Sequence, residues 1–428
     1  MTTELEKTII YRMIFFAKIA FFQNKKMLSL HYFKNQSKMR KITLISTCFI
    51  VFFVNLHTVF GQLSKDAKMS VLTCGAGFEF FEAFGHTALR VSDSALGMDY
   101  VFNWGLFDFS TDNFYLKFAQ GRLPYMLGIS TYEGFVAEYQ RDGRSMYEQE
   151  LRLTDKEKEI LYEALVENYK PENRCYNYDF FEDNCATRVR DIVQNSLQDR
   201  RFPTEIKTNS PLTFRQLYLP YTHNHLWWRF AIDIALGMRA DRRVSTYEYM
   251  YLPDDLMNQF DTTILAGSNE TLSEPRQIIL EEQCAHSTPT VISPNLVFWL
   301  LLIGVVVVSF FEIKKGFYAK GFDIVFFTLI FVLSILVFYL SLISDHNATK
   351  CNLNLLWTNP LLFYALIRLR KSAVAVLYVL LACLAVLIVG FWAIPQHFNP
   401  AFFPIWLILA LRLTLLLFRK KRKKPIAV

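Results

Sequence analysis

At 428 residues, with 52% hydrophobic residues and a mean hydropathy of +0.19, the chain is too apolar to be wholly soluble. Charged residues make up 20%, too many for a wholly embedded protein, so a soluble part joined to a membrane region is expected. The net charge of +7 rests largely on one terminal run, RKKRKK at Arg419–Lys424, which reads as a cytoplasmic membrane flank and argues against a nucleic-acid partner. Seven cysteines without CxxC spacing give neither a zinc motif nor a redox motif.

Residues 1–61 form an N-terminal extension. Met39-Arg40-Lys41 opens an apolar run, ITLISTCFIVFFVNLHTVF, that ends at Gly61-Gln62. A charged start, an apolar middle and a small-residue exit are the parts of a secretory signal. Met39 is then the expected start, or the residues before it are a dispensable extension. The run Ile42–Phe60 is long for a signal core, so an uncleaved anchor is the alternative. Either form exports the residues beyond Gln62.

Residues 62–289 are expected to form the soluble domain. Ser70–Thr73 reads as a strand, and His86–Val91 alternates as a half-buried strand does. SDSALG reads as a turn, and DYVFNWG as the partner strand that carries Asn103. Helices are predicted around Asn113–Gln120 and Tyr132–Gln140, then a strand over Ser145–Leu153. Thr154 and Glu157 form a capping-box pattern that starts a helix running to about Tyr169, and Pro171 closes it. Strands first and helices later indicate an α+β domain with one antiparallel sheet.

Beyond Cys185, Leu212–Phe260 is rich in Trp, Tyr and Arg. His223 and His225 have no carboxylate or cysteine partner at ligand spacing, so surface or interfacial histidines are expected rather than a metal pair. Trp227, Trp228 and Arg229 suit either a domain edge at lipid headgroups or ordinary packing. After a linker at Ser287–Pro294 come five apolar runs: Asn295–Ile313, Phe322–Ile343, Leu353–Ile367, Ala373–Ile394 and Ala401–Phe418. Each approaches the ~20 residues that cross a bilayer, except the third, which is short enough to be re-entrant. An all-α membrane bundle of about five helices is expected over 294–418, with 419–428 as a basic cytoplasmic tail. Lys314, Lys315 and Lys320 follow the first run, and Arg368, Arg370 and Lys371 the third. The intervening loops SDHNATKCN and PQHFNP carry only Lys350. That bias puts the soluble domain outside and the C-terminus inside. In the second exported loop, His346, Asn347, Asn352 and Asn354 form a polar cluster, read as either a headgroup site or a solvated loop.

The chemistry centres on YNYDFFEDNCATRVRD, Tyr176–Asp191. Asn184 is a fitting N-cap, which puts Cys185 in the first turn of a helix. Backbone N–H groups and the positive end of the helix dipole favour thiolate there. A lone cysteine is more often a small buried hydrophobe, so a base must also be found. His86 is the first candidate base, with Asn103 on the next strand to orient it, and Glu79, Glu82 and Asp108 as rival orienters. The Cys185 N–H would be the oxyanion donor.

The segments FGHTALRV, YVFNWGLFDF, NFYLKFAQGRLPY and YNYDFFEDNCATRVRD resemble the periplasmic domain of the Lnb-type lipoprotein N-acyltransferases of Bacteroidota. The order of signal, thiol domain and membrane bundle is similar too, over about Leu63 to the end. More widely, the chain resembles circularly permuted papain-like folds, including the lecithin:retinol acyltransferase group. The resemblance implies a permuted papain-like domain with Cys185 as nucleophile and His86 as base. Asn103 falls near the position of the polar orienting residue, at a longer spacing. It further implies a phospholipid acyl donor, a diacylglyceryl lipoprotein acceptor, no cofactor or metal, and a bacterial inner-membrane location. A membrane-tethered thiol hydrolase of the same fold and a non-catalytic exported sensor or scaffold are the alternatives. Cys74 with Cys175, and Cys284 with Cys351, are candidate disulfides in an oxidising compartment, with reduced buried thiols the alternative.

Overall fold

A computed structural model describes residues 63–198, 200, 202, 212–265, 270–283, 290–363 and 372–422, which lie within one compact unit, Leu63–Val428. The expected signal at residues 39–61, Cys284 and the linker residues 287–289 fall outside the described residues. Among the described residues, seven strands build one sheet: β1 (Lys68–Cys74), β2 (His86–Asp93), β3 (Met98–Leu106), β4 (Pro124–Thr131), β5 (Met146–Glu150), β6 (Cys175–Asn177) and β7 (Gln277–Leu280). Their order is β6-β4-β3-β2-β1-β5-β7, and every neighbouring pair is antiparallel.

The helices of this part are α1 (Phe114–Gln120), α2 (Tyr132–Arg141), α3 (Asp155–Tyr169), α4 (Cys185–Ser196), α5 (Phe214–Tyr218), α6 (Leu226–Ala235), α7 (Thr246–Tyr249) and α8 (Pro253–Thr262). One sheet face presents Leu89, Val91, Phe102 and Trp104 to Leu161 and Leu165 of α3, to Ala186, Val189 and Val193 of α4, and to Leu256 and Phe260 of α8. Burying each of the larger aliphatic side chains stabilises the fold by roughly 1.5–3 kcal/mol. The other face puts Leu72, Ala88 and Val101 against Phe135 and Tyr139 of α2. Alternation along β2 therefore reflects two covered faces. Helix α3 begins at the expected box: Thr154 Oγ1 accepts from the Glu157 N–H, and Glu157 Oε2 accepts from the Thr154 N–H.

Strands β4, β6 and β7 have no counterpart in the sequence reading. β4 starts at a proline and contains Gly128, both poor strand signals, and is held by pairing to β3 and β6. β6 and β7 are short and take their conformation from the neighbours they pair with.

The membrane region contains α9 (Pro294–Lys315), α10 (Lys320–Phe338), α11 (Ser372–Gly390) and α12 (Phe402–Arg422). Ser293 caps α9 ahead of a proline in its first turn, and Gly316, at φ +71°, closes it. Helix α10 continues through a π-helical turn at Tyr339–Ile343. Three helices among the described residues are long and apolar enough to span: Pro294–Lys315, Lys320–Ile343 and Phe402–Arg419. The apolar helix Val374–Gly390 is shorter. In the described part of the third apolar run there is a 3-10 turn, Leu353–Leu356, followed by turns and the start of a helix at 362–363, and residues 364–371 lie outside the described residues. Arg412 of α12 donates to Asp323 of α10 (2.6 Å) and Ser309 of α9 (2.9 Å) and pairs with Glu312, so charges inside the apolar runs neutralise one another.

In the polar loop after α10, Asn352 and Asn354 are buried and capped onto α6 rather than solvated. The last-turn carbonyls of α6 have no helical partners of their own. Asn354 Nδ2 donates to the carbonyls of Asp233 (2.9 Å) and Ile234 (3.1 Å), and Asn352 Nδ2 to those of Ile234 (2.8 Å) and Ala235 (3.0 Å). Asn399 Nδ2 reaches Asp233 Oδ2 at 2.8 Å, while Asp233 pairs with buried Arg215 at 2.5 Å. Gly237 comes next, its N–H on the Ala348 carbonyl at 3.0 Å. His346 Nε2 meets the Phe118 carbonyl at 2.7 Å, and Asp345 accepts from Arg122 at 2.6 Å. The loops that leave the spans on this side are thus bonded into the sheet domain.

Candidate active site

Helix α4 begins where the aromatic-acidic segment turns in. Asp179 and Asp183 exchange two backbone hydrogen bonds (2.9 and 3.1 Å), which folds 179–183 into a tight loop. Buried Asn184 then caps the helix: its Oδ1 accepts from the N–H groups of Ala186 (2.9 Å) and Thr187 (3.0 Å). Its Nδ2 donates to the carbonyls of Phe180 (2.9 Å) and Tyr251 (3.0 Å), which fixes the cap to two other segments. Thr187 Oγ1 closes the box by accepting from the Asn184 N–H at 2.7 Å. Asp183 forms an ion pair with Arg188, whose guanidinium lies 4.2 Å over the Tyr176 ring. Each residue of DNCATR therefore has a structural task that leaves Cys185 half-buried at the first helical position. The cap takes the N–H groups of Ala186 and Thr187 but not that of Cys185.

The base arrives from the sheet. Gly85 has φ +74°, and a Cβ there would sit 2.7 Å from the Cys74 carbonyl, so glycine is required for the chain to enter β2 at His86. His86 pairs with Cys74 across β1, and on its other side Leu89 pairs with Phe102 of β3. That register sets Asn103 diagonally across from His86 on the adjoining strand. Asn103 Oδ1 and His86 Nε2 are 2.5 Å apart, and the imidazole also hydrogen-bonds the Cys185 thiol. The rival carboxylates are engaged elsewhere: Glu79 and Glu82 close their own loop, Glu82 faces Arg144 at 3.3 Å, and Asp108 accepts from Ser110 at 2.7 Å.

Burial of Cys185 opposes the thiolate, but the His86 charge and hydrogen bond, with the N–H groups of Thr87 and Ala186, outweigh it and hold the thiol below its ordinary value. Burial likewise pushes His86 down, while the Cys185 charge and hydrogen bond and the Asn103 amide push it up, and the net direction is upward. Cys185, His86 and Asn103 thus form a Cys-His-Asn arrangement in which the thiol is shifted toward thiolate and the imidazole toward its charged form, as nucleophilic acyl transfer requires.

Residues that the sequence reading did not single out surround this pair. Buried Arg144 donates to the Gly75 carbonyl at 2.9 Å and pairs with Glu82, so it holds the loop that leads to His86. Tyr178 and Tyr176 feel the Cys185 charge, burial being the larger reason their phenols stay protonated. Neither signal was legible, because an arginine after a turn and a tyrosine in an aromatic run are ordinary surface patterns. His223 Nδ1 meets the Pro220 carbonyl at 2.5 Å, and His225 stacks on Trp228 with ring centroids 4.0 Å apart. Trp227 donates to the Ile292 carbonyl at 2.9 Å beside the start of α9. Cys74 is buried and free, and Cys175 is exposed and free, so the first candidate disulfide is not formed. Cys351 is free as well.

Two family models match the chain. One described as the Lnb N-terminal periplasmic domain covers residues 61–219, and one described as the Lnb transmembrane domain covers residues 286–424. No curated protein and no solved structure matches it.

Proposed function

The chain belongs to the Lnb family, as a membrane protein with a periplasmic N-terminal domain, and on that premise we propose that it is a lipoprotein N-acyltransferase. The observation that carries this reading is the Cys185–His86–Asn103 line within a sheet domain bonded to the loops of a membrane bundle. In the first step the Cys185 thiolate attacks an ester carbonyl of a phospholipid. The Cys185 N–H stabilises the oxyanion. His86 then gives its proton to the departing lysophospholipid oxygen, the C–O bond breaks and a thioester remains on sulfur. In the second step the free α-amino group of a diacylglyceryl-modified N-terminal cysteine attacks that thioester. His86 takes the amine proton, the C–S bond breaks, and thiolate and imidazolium are restored with a triacylated product released. Asn103, bonded to Nε2, keeps the imidazole from rotating in both steps.

This reading assigns residues 62–289 to the catalytic domain, 294–418 to the membrane domain and 419–428 to a cytoplasmic tail in the inner membrane. The charge bias of the loops supports that orientation. The test is to incubate the full-length protein in phospholipid membranes and look for a hydroxylamine-labile acyl adduct on Cys185. A Cys185→Ala protein that still restored triacylated lipoproteins in a deficient strain would sink the mechanism. Loss of wall-peptide cleavage in that strain, with lipoproteins unaffected, would instead indicate a thiol hydrolase.

A further inference from the structure

An aromatic path leads from the thiol to the protein surface. Tyr178, beside Cys185, stacks on Tyr125 with centroids 4.7 Å apart, and Tyr125 meets Phe107 at 5.4 Å. Phe107 contacts Phe109 (5.0 Å) and Phe114 (5.9 Å), and Phe114 contacts Tyr115 at 5.4 Å. The path ends in the open: Phe109 is 64% exposed and Tyr115 81%. Soluble surfaces rarely carry so much contiguous aromatic area without a partner.

The position of α1 identifies that partner. Its C-terminal end is bonded to the loop where the spanning helix α10 finishes: Asp345 N–H donates to the Gln120 carbonyl (2.8 Å), and Asp345 and His346 engage Arg122 and the Phe118 carbonyl. Exposed Leu116 and Phe118 lie on the same helix. The open end of the path is therefore continuous with the end of a membrane span, where amphipathic aromatics meet lipid.

We propose that this path admits one hydrocarbon chain of the donor phospholipid from the outer leaflet and guides its ester to Cys185. The inference rests on the acyl-transfer reading and extends it, since it names the route and the part of the lipid that is recognised. A row of aromatic rings suits a flexible chain of any length, and Tyr178, within electrostatic reach of Cys185, stands at its thiol end.

The test uses the full chain carrying Cys185→Ala in nanodiscs of phosphatidylethanolamine and phosphatidylglycerol that contain a phospholipid with a diazirine in its acyl chain. Photolabel on residues 107–118 and on Tyr125 or Tyr178, besides the membrane helices, is the expected result. Label confined to the membrane helices, or obtained only from a diacylated lipopeptide with the same diazirine, overturns the inference. In a second arm, Phe109→Ser and Tyr115→Ser are introduced with Cys185 intact. The rate of Cys185 acylation by vesicle phospholipid, divided by that with a water-soluble butyryl ester, should fall roughly tenfold. An unaltered ratio counts against the path. If the unsubstituted protein takes no acyl group from any phospholipid, the acyl-transfer reading fails, and the photolabel map still decides whether the path holds a chain.

Discussion

His86 Nε2 and Asn103 Oδ1 lie 2.5 Å apart on adjoining antiparallel strands, so the imidazole that faces Cys185 is oriented by an amide and not by a carboxylate. An amide accepts the Nε2–H without competing for the proton, which leaves the charge on the sulfur–imidazole pair. Asn103→Ala removes the acceptor and frees the ring to rotate. Acyl-adduct formation on Cys185 is expected to fall by roughly 100-fold, within the range that general acid–base positioning supplies. Single-turnover acylation measures this, and a rate within a few-fold of the parent protein would show that Asn103 does not position the base.

The opposed shifts of Cys185 and His86 set a pH signature. Cys185 is lowered by His86 and by the Thr87 and Ala186 N–H groups against its burial. Its contribution to stability is therefore present above the ordinary thiol value and is lost as pH falls through the lowered one. His86 is raised, chiefly by Cys185 and Asn103 acting against burial. Its contribution is complete below the ordinary imidazole value and disappears as pH rises through the raised one. The two shifts are mutual, the charged form of each group favouring that of the other. His86→Ala leaves burial unopposed by the imidazolium, so the midpoint of Cys185 alkylation by iodoacetamide should move to higher pH. An unmoved midpoint would mean that His86 does not activate the thiol.

Gly85 ties the base to its strand. Alanine there must hold φ +74° and place a Cβ 2.7 Å from the Cys74 carbonyl. Strain of about 1–3 kcal/mol is expected, along with displacement of His86 from sulfur. Gly85→Ala should lower both the thermal midpoint and the rate of Cys185 alkylation at neutral pH. Retention of both would show that the turn relaxes without moving β2.

Gly237 packs tightly against the membrane loops. A Cβ would lie 1.9 Å from the Lys350 carbonyl, and the Gly237 N–H already donates to the Ala348 carbonyl at 3.0 Å. Gly237→Ala cannot be accommodated unless the loop moves, with an expected cost of at least about 1–3 kcal/mol, that of an overpacked core. Limited proteolysis should then cut the 344–353 loop, which Asn352 and Asn354 otherwise clamp onto α6. Full protection in the variant would show that this contact is not needed for docking.

Much of the site is written locally. The N-cap and first turn at Asn184–Thr187, the strand from His86 and the capping box at Thr154–Glu157 depend on residues three or four apart, or on alternation along a few residues, so they are legible before any folding. The apolar runs and the sign of their flanking charges are equally local, because a bilayer reads each segment by length and hydrophobicity. The choice of orienting group was not legible. Glu79, Glu82, Asp108 and Asn103 are all near His86 in the chain, and only the register of β3 against β2 brings the amide to the ring. Strands β4, β6 and β7 escaped for a related reason, since their pairing with neighbours outweighs weak intrinsic preference.

The segment Tyr176–Asp191 alone determined that a cysteine would sit at a helix start, and the membrane runs determined where the chain would be anchored. The tertiary structure decided what meets that cysteine and what the outer loops do. His86 lies about a hundred residues upstream of Cys185, and Asn352 and Asn354 lie 118 and 121 residues from the α6 carbonyls they cap. No short-range pattern encodes such meetings. They arise because buried carbonyls and a half-buried imidazole must find hydrogen-bond partners, and the fold brings those partners within reach.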